Sequence, residues 1–229
     1  MNPEFIEFLV KENALRFGDF TLKSGRKSPY FVNTGVVCSG SGIYHLAGFF
    51  AEKTLETGTA PIIYGPAYKG IPLAVATSVS LSEEHGFPNS WLFNRKEVKV
   101  HGDKGAFVGR LPDEGEEVIV IDDVFTTGGT KYESVELLES MGAKVKSLVI
   151  GVDREETDLS SPSALANLPK GKRSSAVTAF TEKTGIPVYS IAKISDCFEY
   201  LKEKEINGKV HVTDELYAAF QKYRDEYGS

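Results

Sequence analysis

One stretch constrains this chain more than any other: Glu117–Thr130, which reads EVIVIDDVFTTGGT. Val118–Ile121 is an unbroken run of β-branched apolar residues. That is the pattern of a strand buried on both faces, as in a parallel sheet. Asp122 and Asp123 follow where such a strand is expected to end. Thr126, Thr127, Gly128, Gly129 and Thr130 come next, and a helical pattern follows them. Together these make a phosphate cradle: glycines let backbone N–H groups approach an anion, hydroxyls add donors, and a helix N-terminus adds positive potential.

The rest of the chain supplies the frame. Residues 3–16 read as a helix, with Phe5, Phe8, Leu9 and Leu15 near helical spacing, Pro3 at its start and Gly18 beyond its end. A short strand, a basic turn and an X-Pro break follow over Phe20–Pro29, and Tyr30–Asn33 is strand-like. Ser39–Leu55 is amphipathic. Ile62–Tyr64 is a short apolar run that leads into Gly65-Pro-Ala-Tyr-Lys-Gly70, and a helix over Leu73, Ala74, Thr77 and Leu81 follows. Trp91–Asn94 reads as a strand and residues 95–110 as a long loop or hairpin. After the central stretch come a helix from about Tyr132 to Met141, a strand Val145–Val152, and an exposed Ser-, Pro- and Lys-rich excursion over 157–175. Ala176–Thr184, Ser195–Glu205 and Thr213–Tyr227 read as helices, the last with Thr213 as N-cap, and Pro187–Ile191 as a strand. Strands alternating with helices predict an α/β fold with a mostly parallel central sheet flanked by helices. No repeat or interdomain linker divides the chain, so residues 1–229 read as one domain.

Composition narrows the class. The 229 residues are 41% apolar and 25% charged, enough for a real core. The net charge of −6 disfavours a general nucleic-acid or anionic-membrane surface. Cys38 and Cys197 lie far apart with no metal-ligand spacing, which suggests a reducing compartment. The N-terminus has no basic segment before an apolar run, and no apolar stretch approaches the about 18 residues that span a bilayer. These features point to a cytoplasmic location.

The acids could belong to other chemistry. A hydrophobic run before Asp also describes the Walker B element of a nucleotide hydrolase, but nothing here matches G-x-x-x-x-G-K-[ST]. An isolated Asp-Asp pair after a strand is more often two solvated acids; the T-T-G-G-T turn reverses that reading. Adjacent carboxylates accept charge-assisted hydrogen bonds from a vicinal diol. A diol beside a phosphate cradle implies ribose 5-phosphate. Residues 95–104 add Arg95, Lys96, Lys99 and Lys104 against Glu97 and Asp103, with His101 able to add charge. A basic, glycine-flanked loop on an acidic chain suits an anion lid, although alone it reads more often as a solvated charged hairpin. The same applies to Lys23, Arg26 and Lys27. Arg154 is individually weak as a signal, yet a guanidinium suits bidentate carboxylate binding. Tyr30, Phe31, Phe49 and Phe50 read as core before base-stacking groups.

The stretch VIVIDDVFTTGGT resembles the 5-phosphoribosyl-1-pyrophosphate (PRPP) signature of the type I phosphoribosyltransferases. Phe20-Thr-Leu-Lys-Ser-Gly-Arg-Lys-Ser-Pro-Tyr-Phe31, Gly65–Gly70, Arg95–Gly102 and Val152-Asp-Arg-Glu-Glu156 are similar to segments of the orotate phosphoribosyltransferase branch, in matching order over about residues 1–200. The resemblance implies a type I phosphoribosyltransferase fold, with a hood from residues 1–38 plus C-terminal elements over a core of about 39–195. It implies that Asp122 and Asp123 hold the ribose hydroxyls, and that Val124, Phe125, Thr126, Thr127, Gly128, Gly129 and Thr130 enclose the 5-phosphate. Tyr68 and Lys69 would contact pyrophosphate, next to a non-proline cis peptide between Ala67 and Tyr68. Lys23 would serve both substrates, and Phe31, Val32, Thr126 and Arg154 the orotate. Arg95, Lys96, Lys99 and His101 would form a lid shared across a homodimer. Lys99, His101, Asp122 and Asp123 are the catalytic residues so implied. Mg²⁺ is the implied cofactor, held mainly through PRPP rather than by direct protein ligands. Orotate and PRPP are the implied substrates, with no nucleic acid or membrane partner.

The sequence departs from the common family pattern in having Val100 before His101 and T-T-G-G-T in place of T-A-G-T. Two other readings share Asp122–Thr130. A purine or uracil phosphoribosyltransferase should lack the Leu22–Gly25 and 95–101 segments together. A PRPP-sensing regulator should add a helix-turn-helix or a broad basic face.

Overall fold

The computed structural model describes residues 1–22, 25–96, 106–126, 128–157 and 173–229. Helix α1 spans Pro3–Lys11, where the Asn2 side chain accepts from the Phe5 N–H at 3.0 Å. It is shorter than the helix expected over 3–16. Asn13 adopts a left-handed φ of 57°, which Asn tolerates better than most residues. The chain turns there, and Leu15 and Arg16 open strand β1 (Leu15–Thr21) instead. Strand β2 (Lys27–Val32) pairs antiparallel with β1, and Pro29 is accommodated in this two-stranded ribbon, where an edge needs no donor. Ser39 caps α2 (Gly40–Thr57).

The central sheet has six strands in the order β5-β4-β3-β6-β7-β8. They are β3 (Ile62–Gly65), β4 (Ser90–Asn94), β5 (Phe107–Gly109), β6 (Glu117–Phe125), β7 (Lys144–Asp153) and β8 (Val188–Lys193). Every pairing is parallel except β4 with β5. Helices α3 (Gly70–Glu83), α4 (Gly129–Glu139) and α5 (Ala176–Thr184) make crossovers. Alternation along β6 feeds two cores. Ile119 and Ile121 join Phe50 and Leu73 on one face; Val118 and Val120 join Leu138 and Phe180 on the other.

Two C-terminal elements differ from expectation. Helix α6 ends at Leu201 rather than Glu205 (Ile194–Leu201), because Asn207 and Gly208, both at positive φ, turn a small hairpin of β9 (Glu205–Ile206) and β10 (Lys209–Val210). Helix α7 (Asp214–Tyr227) begins where expected, with Thr213 accepting from the Leu216 N–H. It packs against β2. The excursion expected over 157–175 falls mostly outside the described residues; its flanks, Thr157 and Ser175, pair as an antiparallel bridge.

This strand order places the site. The chain leaves β3 toward β4 on one side and returns to β6 on the other. The carboxyl ends of β3 and β6 therefore flank the point where an open α/β sheet leaves a crevice. No helix among the described residues is long and apolar enough to cross a membrane.

Candidate active site

A cleft of about 560 Å³ opens at that crevice. Its floor is β6. The strand does not end before the acids, as expected, but runs through both to Phe125, because β7 continues beside it and pairs Asp122 with Ile150 and Phe125 with Asp153. Consecutive strand residues point to opposite sides, and the two buried carboxylates engage different partners. Asp122 Oδ1 accepts from the Asp123 N–H at 2.9 Å and Oδ2 from Lys131 Nζ at 2.5 Å. Asp123 Oδ1 accepts from the Val124 N–H at 2.9 Å and Oδ2 from Lys69 Nζ at 2.8 Å. Burial pushes the Asp122 carboxyl above its usual range, and the neighbouring Lys131 ammonium opposes that rise.

The cradle follows β6. Gly128 adopts φ +80°, a left-handed turn that aims the first amides of α4 at the cleft. The Lys131 and Tyr132 N–H groups donate to the Gly128 carbonyl, so the anion site of the first turn would rest on the N–H groups of Gly129 and Thr130 before them. Thr126 and Thr130 stand on the cleft wall. The buried Phe125 ring packs on Phe180, 5.6 Å between centroids, and lies against Gly128 of the cradle. Thr127 lies outside the described residues, as do Lys23, Lys99 and His101.

The opposite wall is the loop 66–69. A Cβ on Gly65 would collide with the Gly70 carbonyl, and one on Gly70 would sit 2.6 Å from Pro66 Cδ. Both glycines are therefore required for the loop to fold back on itself. The Ala67–Tyr68 peptide is cis. Asn94 Oδ1 accepts from both the Ala67 N–H and the Tyr64 hydroxyl at 2.9 Å, tying the loop to the end of β4. Tyr68 is 63% exposed at the rim, with Lys96 Nζ 4.9 Å from its ring centre. Arg95 is not on the wall; its N–H donates to the Ala106 carbonyl and closes the β4–β5 hairpin.

The third side is made by the ribbon, with α7 packed behind it. Phe31 and Val32 line it, so Phe31 faces the cleft whereas Tyr30 and Phe50 are core. Arg154 is buried after β7. Its Nε and Nη2 donate to Glu156 Oε1 at 2.9 and 2.6 Å, and the Tyr223 hydroxyl donates to the same oxygen at 2.6 Å. Arg26 reaches Glu156 Oε2 at 3.8 Å. Burial disfavours the Arg154 charge, but Tyr30, Glu156 and Tyr223 more than offset it and raise its pKa. Lys27 instead donates to Thr21 on the exposed ribbon, away from the cleft.

The cleft thus joins ribose-type acceptors, an anion cradle, a lysine-bearing loop and a carboxylate-type arginine. Sequence reasoning singled out neither Lys131, Glu156 nor Asn94. Lys131 carries a weak signal, a cation in the first turn of a helix where acids are favoured; Glu156 and Asn94 carry none.

Residues 39–164 match the phosphoribosyl transferase domain family. The chain is 41% identical over 228 residues to the orotate phosphoribosyltransferase of Clostridium acetobutylicum, covering 98% of this chain and 96% of that protein. It superposes on the orotate phosphoribosyltransferase of Francisella tularensis with a TM-score of 0.77 and 34% identity, covering 99% of this chain and 100% of that one. It also matches UMP synthase of Leishmania donovani with a TM-score of 0.71 and 26% identity, covering 96% of this chain and 41% of the longer one. With matches of this extent in both sequence and fold, the chain belongs to the orotate phosphoribosyltransferase family.

Proposed function

We infer that the protein transfers the 5-phosphoribosyl group from PRPP to orotate, releasing pyrophosphate and orotidine 5′-monophosphate, in the de novo synthesis of UMP. The observation that carries this reading is the placement of two lysine-paired carboxylates beside a left-handed glycine and the first turn of α4, with Arg154 across the cleft. Asp122 and Asp123 would accept the ribose hydroxyls, and 126–130 would hold the 5-phosphate. Tyr68 and Lys69, with Lys96 at the rim, would receive the pyrophosphate. Phe31, Val32, Thr126 and Arg154 would hold orotate with its nitrogen aimed at the anomeric carbon.

No covalent nucleophile is needed. Displacement through an oxocarbenium-like state requires the leaving group to be neutralised and the acceptor aimed, which is catalysis by electrostatics and positioning. Among the described residues no group of three His, Cys, Asp or Glu gathers to hold a metal. Each cleft aspartate already holds a lysine, so Mg²⁺ would be held mainly through PRPP rather than by these residues, and when bound it would supply neutralisation of leaving-group charge. Residues 1–38 and the C-terminal elements form a hood over the core of about 39–195. Support for grouping the two segments comes from Tyr30 and Tyr223, whose rings pack with centroids 5.7 Å apart and whose hydroxyls both reach Glu156 of the core. Lys23, and Arg95, Lys96, Lys99 and His101 of a lid that closes over pyrophosphate and in part reaches into the partner's site in a homodimer, complete the proposal. A cytoplasmic location accords with Cys38 and Cys197 being free thiols.

The test is one assay with PRPP, Mg²⁺ and a panel of orotate, uracil, hypoxanthine and adenine, read by pyrophosphate release. Turnover with orotate alone is expected. Turnover with another base, or PRPP binding without turnover, would reject the assignment.

A further inference from the structure

We propose that Lys131 is a positioning residue of the phosphoribosyl site, a resident counter-ion that holds Asp122 in place for the ribose, whereas Lys69 is an exchangeable counter-ion that leaves Asp123 when the pyrophosphate arrives. The proposal rests on the functional reading above.

The two ion pairs look alike in length, 2.5 and 2.8 Å, but differ in setting. The Lys131 and Asp122 side chains are 8% and 10% exposed, so the pair is closed off from solvent. The Lys69 side chain is 47% exposed while Asp123 is 6% exposed. Lys69 rides on the loop that faces the leaving group. Moving it a short way along the cleft costs little desolvation. Lys131 has no such solvent-side route, because it and Asp122 are both enclosed, whereas Asp123 would exchange Lys69 for a ribose hydroxyl rather than be left buried and bare.

The position of Lys131 is also unusual. It stands in the first turn of α4, where the helix dipole disfavours cations and where acids would normally be placed. None of the first-turn residues of α4 is acidic. A sequence that breaks a local rule at a cleft commonly does so for the site. Here the break restrains a carboxylate that, among the described residues, also accepts from the Asp123 N–H and has the buried Tyr64 nearby. Asp122 and Asp123 then enter the reaction differently. Asp122 is held ready in the empty site, and Asp123 is uncovered by the substrate itself.

The test uses the full chain with Lys131→Met, Lys131→Arg, Asp122→Asn and the double variant Asp122→Asn/Lys131→Met. The readouts are KM for each substrate, kcat, PRPP binding by equilibrium dialysis without orotate, and the melting midpoint. Lys131→Met is expected to raise KM and Kd for PRPP about tenfold or more, with KM for orotate within about twofold and partial rescue by Lys131→Arg. In the Asp122→Asn background the same Lys131→Met change should alter PRPP binding by less than about twofold, since its partner is already neutral. A folded Lys131→Met with unchanged PRPP affinity overturns the proposal. So does a full, additive loss in the Asp122→Asn background. If Lys131→Met does not fold, the charge-neutral double variant against Asp122→Asn decides by the same criterion. Dialysis reads the coupling even if the wild type fails to turn over orotate, which separates failure of this inference from failure of the functional reading.

Discussion

A buried carboxylate with one lysine and a buried arginine with one glutamate sit at opposite ends of the cleft, and each is a matched pair before any ligand binds. At the arginine end the guanidinium donates from Nε and Nη2 to Glu156 and from Nη2 to the Tyr223 hydroxyl, which fixes its plane; in the proposed function Nη1 would meet the orotate carboxylate. Arg154→Lys keeps the charge but loses that geometry. It is expected to lower kcat/KM for orotate about ten- to hundredfold, about 1.5–3 kcal/mol, with PRPP affinity little changed. Substrate-varied steady-state kinetics checks this; an equal loss for both substrates would move Arg154 away from orotate. Lys99, outside the described residues, carries the lid proposal. Lys99→Ala should depress kcat severely with a modest change in PRPP binding, and a kcat near wild type would remove the lid from the chemistry.

Two elements hold these residues in place. Helix α7 reaches the site through the Tyr223 hydroxyl on Glu156, so the end of the chain helps orient an arginine on β7's exit. Tyr223→Phe leaves a buried carboxylate short of a donor and should cost about 1–3 kcal/mol of stability. The same change should raise KM for orotate more than that for PRPP. Chemical denaturation and kinetics on one preparation test both, and an effect on stability alone would make α7 only a clamp. On the other wall, the loop after β3 closes because Gly65 and Gly70 touch backbone to backbone. Gly65→Ala pushes a methyl into the Gly70 carbonyl and should destabilise by at least about 1–3 kcal/mol, as overpacking does, while displacing Lys69 from Asp123. A melting midpoint equal to wild type would show that the loop has another way to close.

At the scale of the whole molecule, the termini are joined across the fold. Glu7 on α1 accepts from the Tyr200 hydroxyl in the last turn of α6 at 2.7 Å and pairs at 2.9 Å with Lys204, just beyond that helix. The hydrogen bond from Lys204, then that from Tyr200, lowers the Glu7 carboxyl to about 2 from the ordinary 4.5. A carboxyl depressed on folding stabilises the native state above its unfolded pKa, and that contribution fades as pH falls from about 4.5 toward 2. Glu7→Gln should therefore melt below wild type near neutral pH, with the gap closing in acid. The gap should also shrink in salt, because Glu7 is partly exposed. A gap that widened in acid would contradict the sign. Quaternary structure has its own test. Lys99→Ala subunits mixed with Asp122→Asn/Asp123→Asn subunits should regain up to about a quarter of wild-type activity if each lid serves the partner's site. Failure to complement would assign the lid to its own subunit.

Local patterns were enough for much of this. The run Val118–Ile121, the threonines and glycines after it, and the apolar spacing of α2, α3 and α7 are repeated locally, so the parallel sheet, the cradle and the place of Asp122 and Asp123 could be read directly. Boundaries were less legible where one residue redirects the chain, as at Asn13 and at Asn207-Gly208. The continuation of β6 through its acids depends on β7 lying alongside, which no local window contains. Likewise, the sequence alone named Asp122, Asp123, Lys69 and Arg154 by residue type and resemblance. Only the tertiary structure decided which cation each acid holds, that the Phe125 ring is buried on Phe180, and that Glu156 and Tyr223 secure the arginine. The physical reason is that periodicity and turn chemistry act between near neighbours, whereas charge pairing in a cleft is settled by whichever groups the strand order brings together.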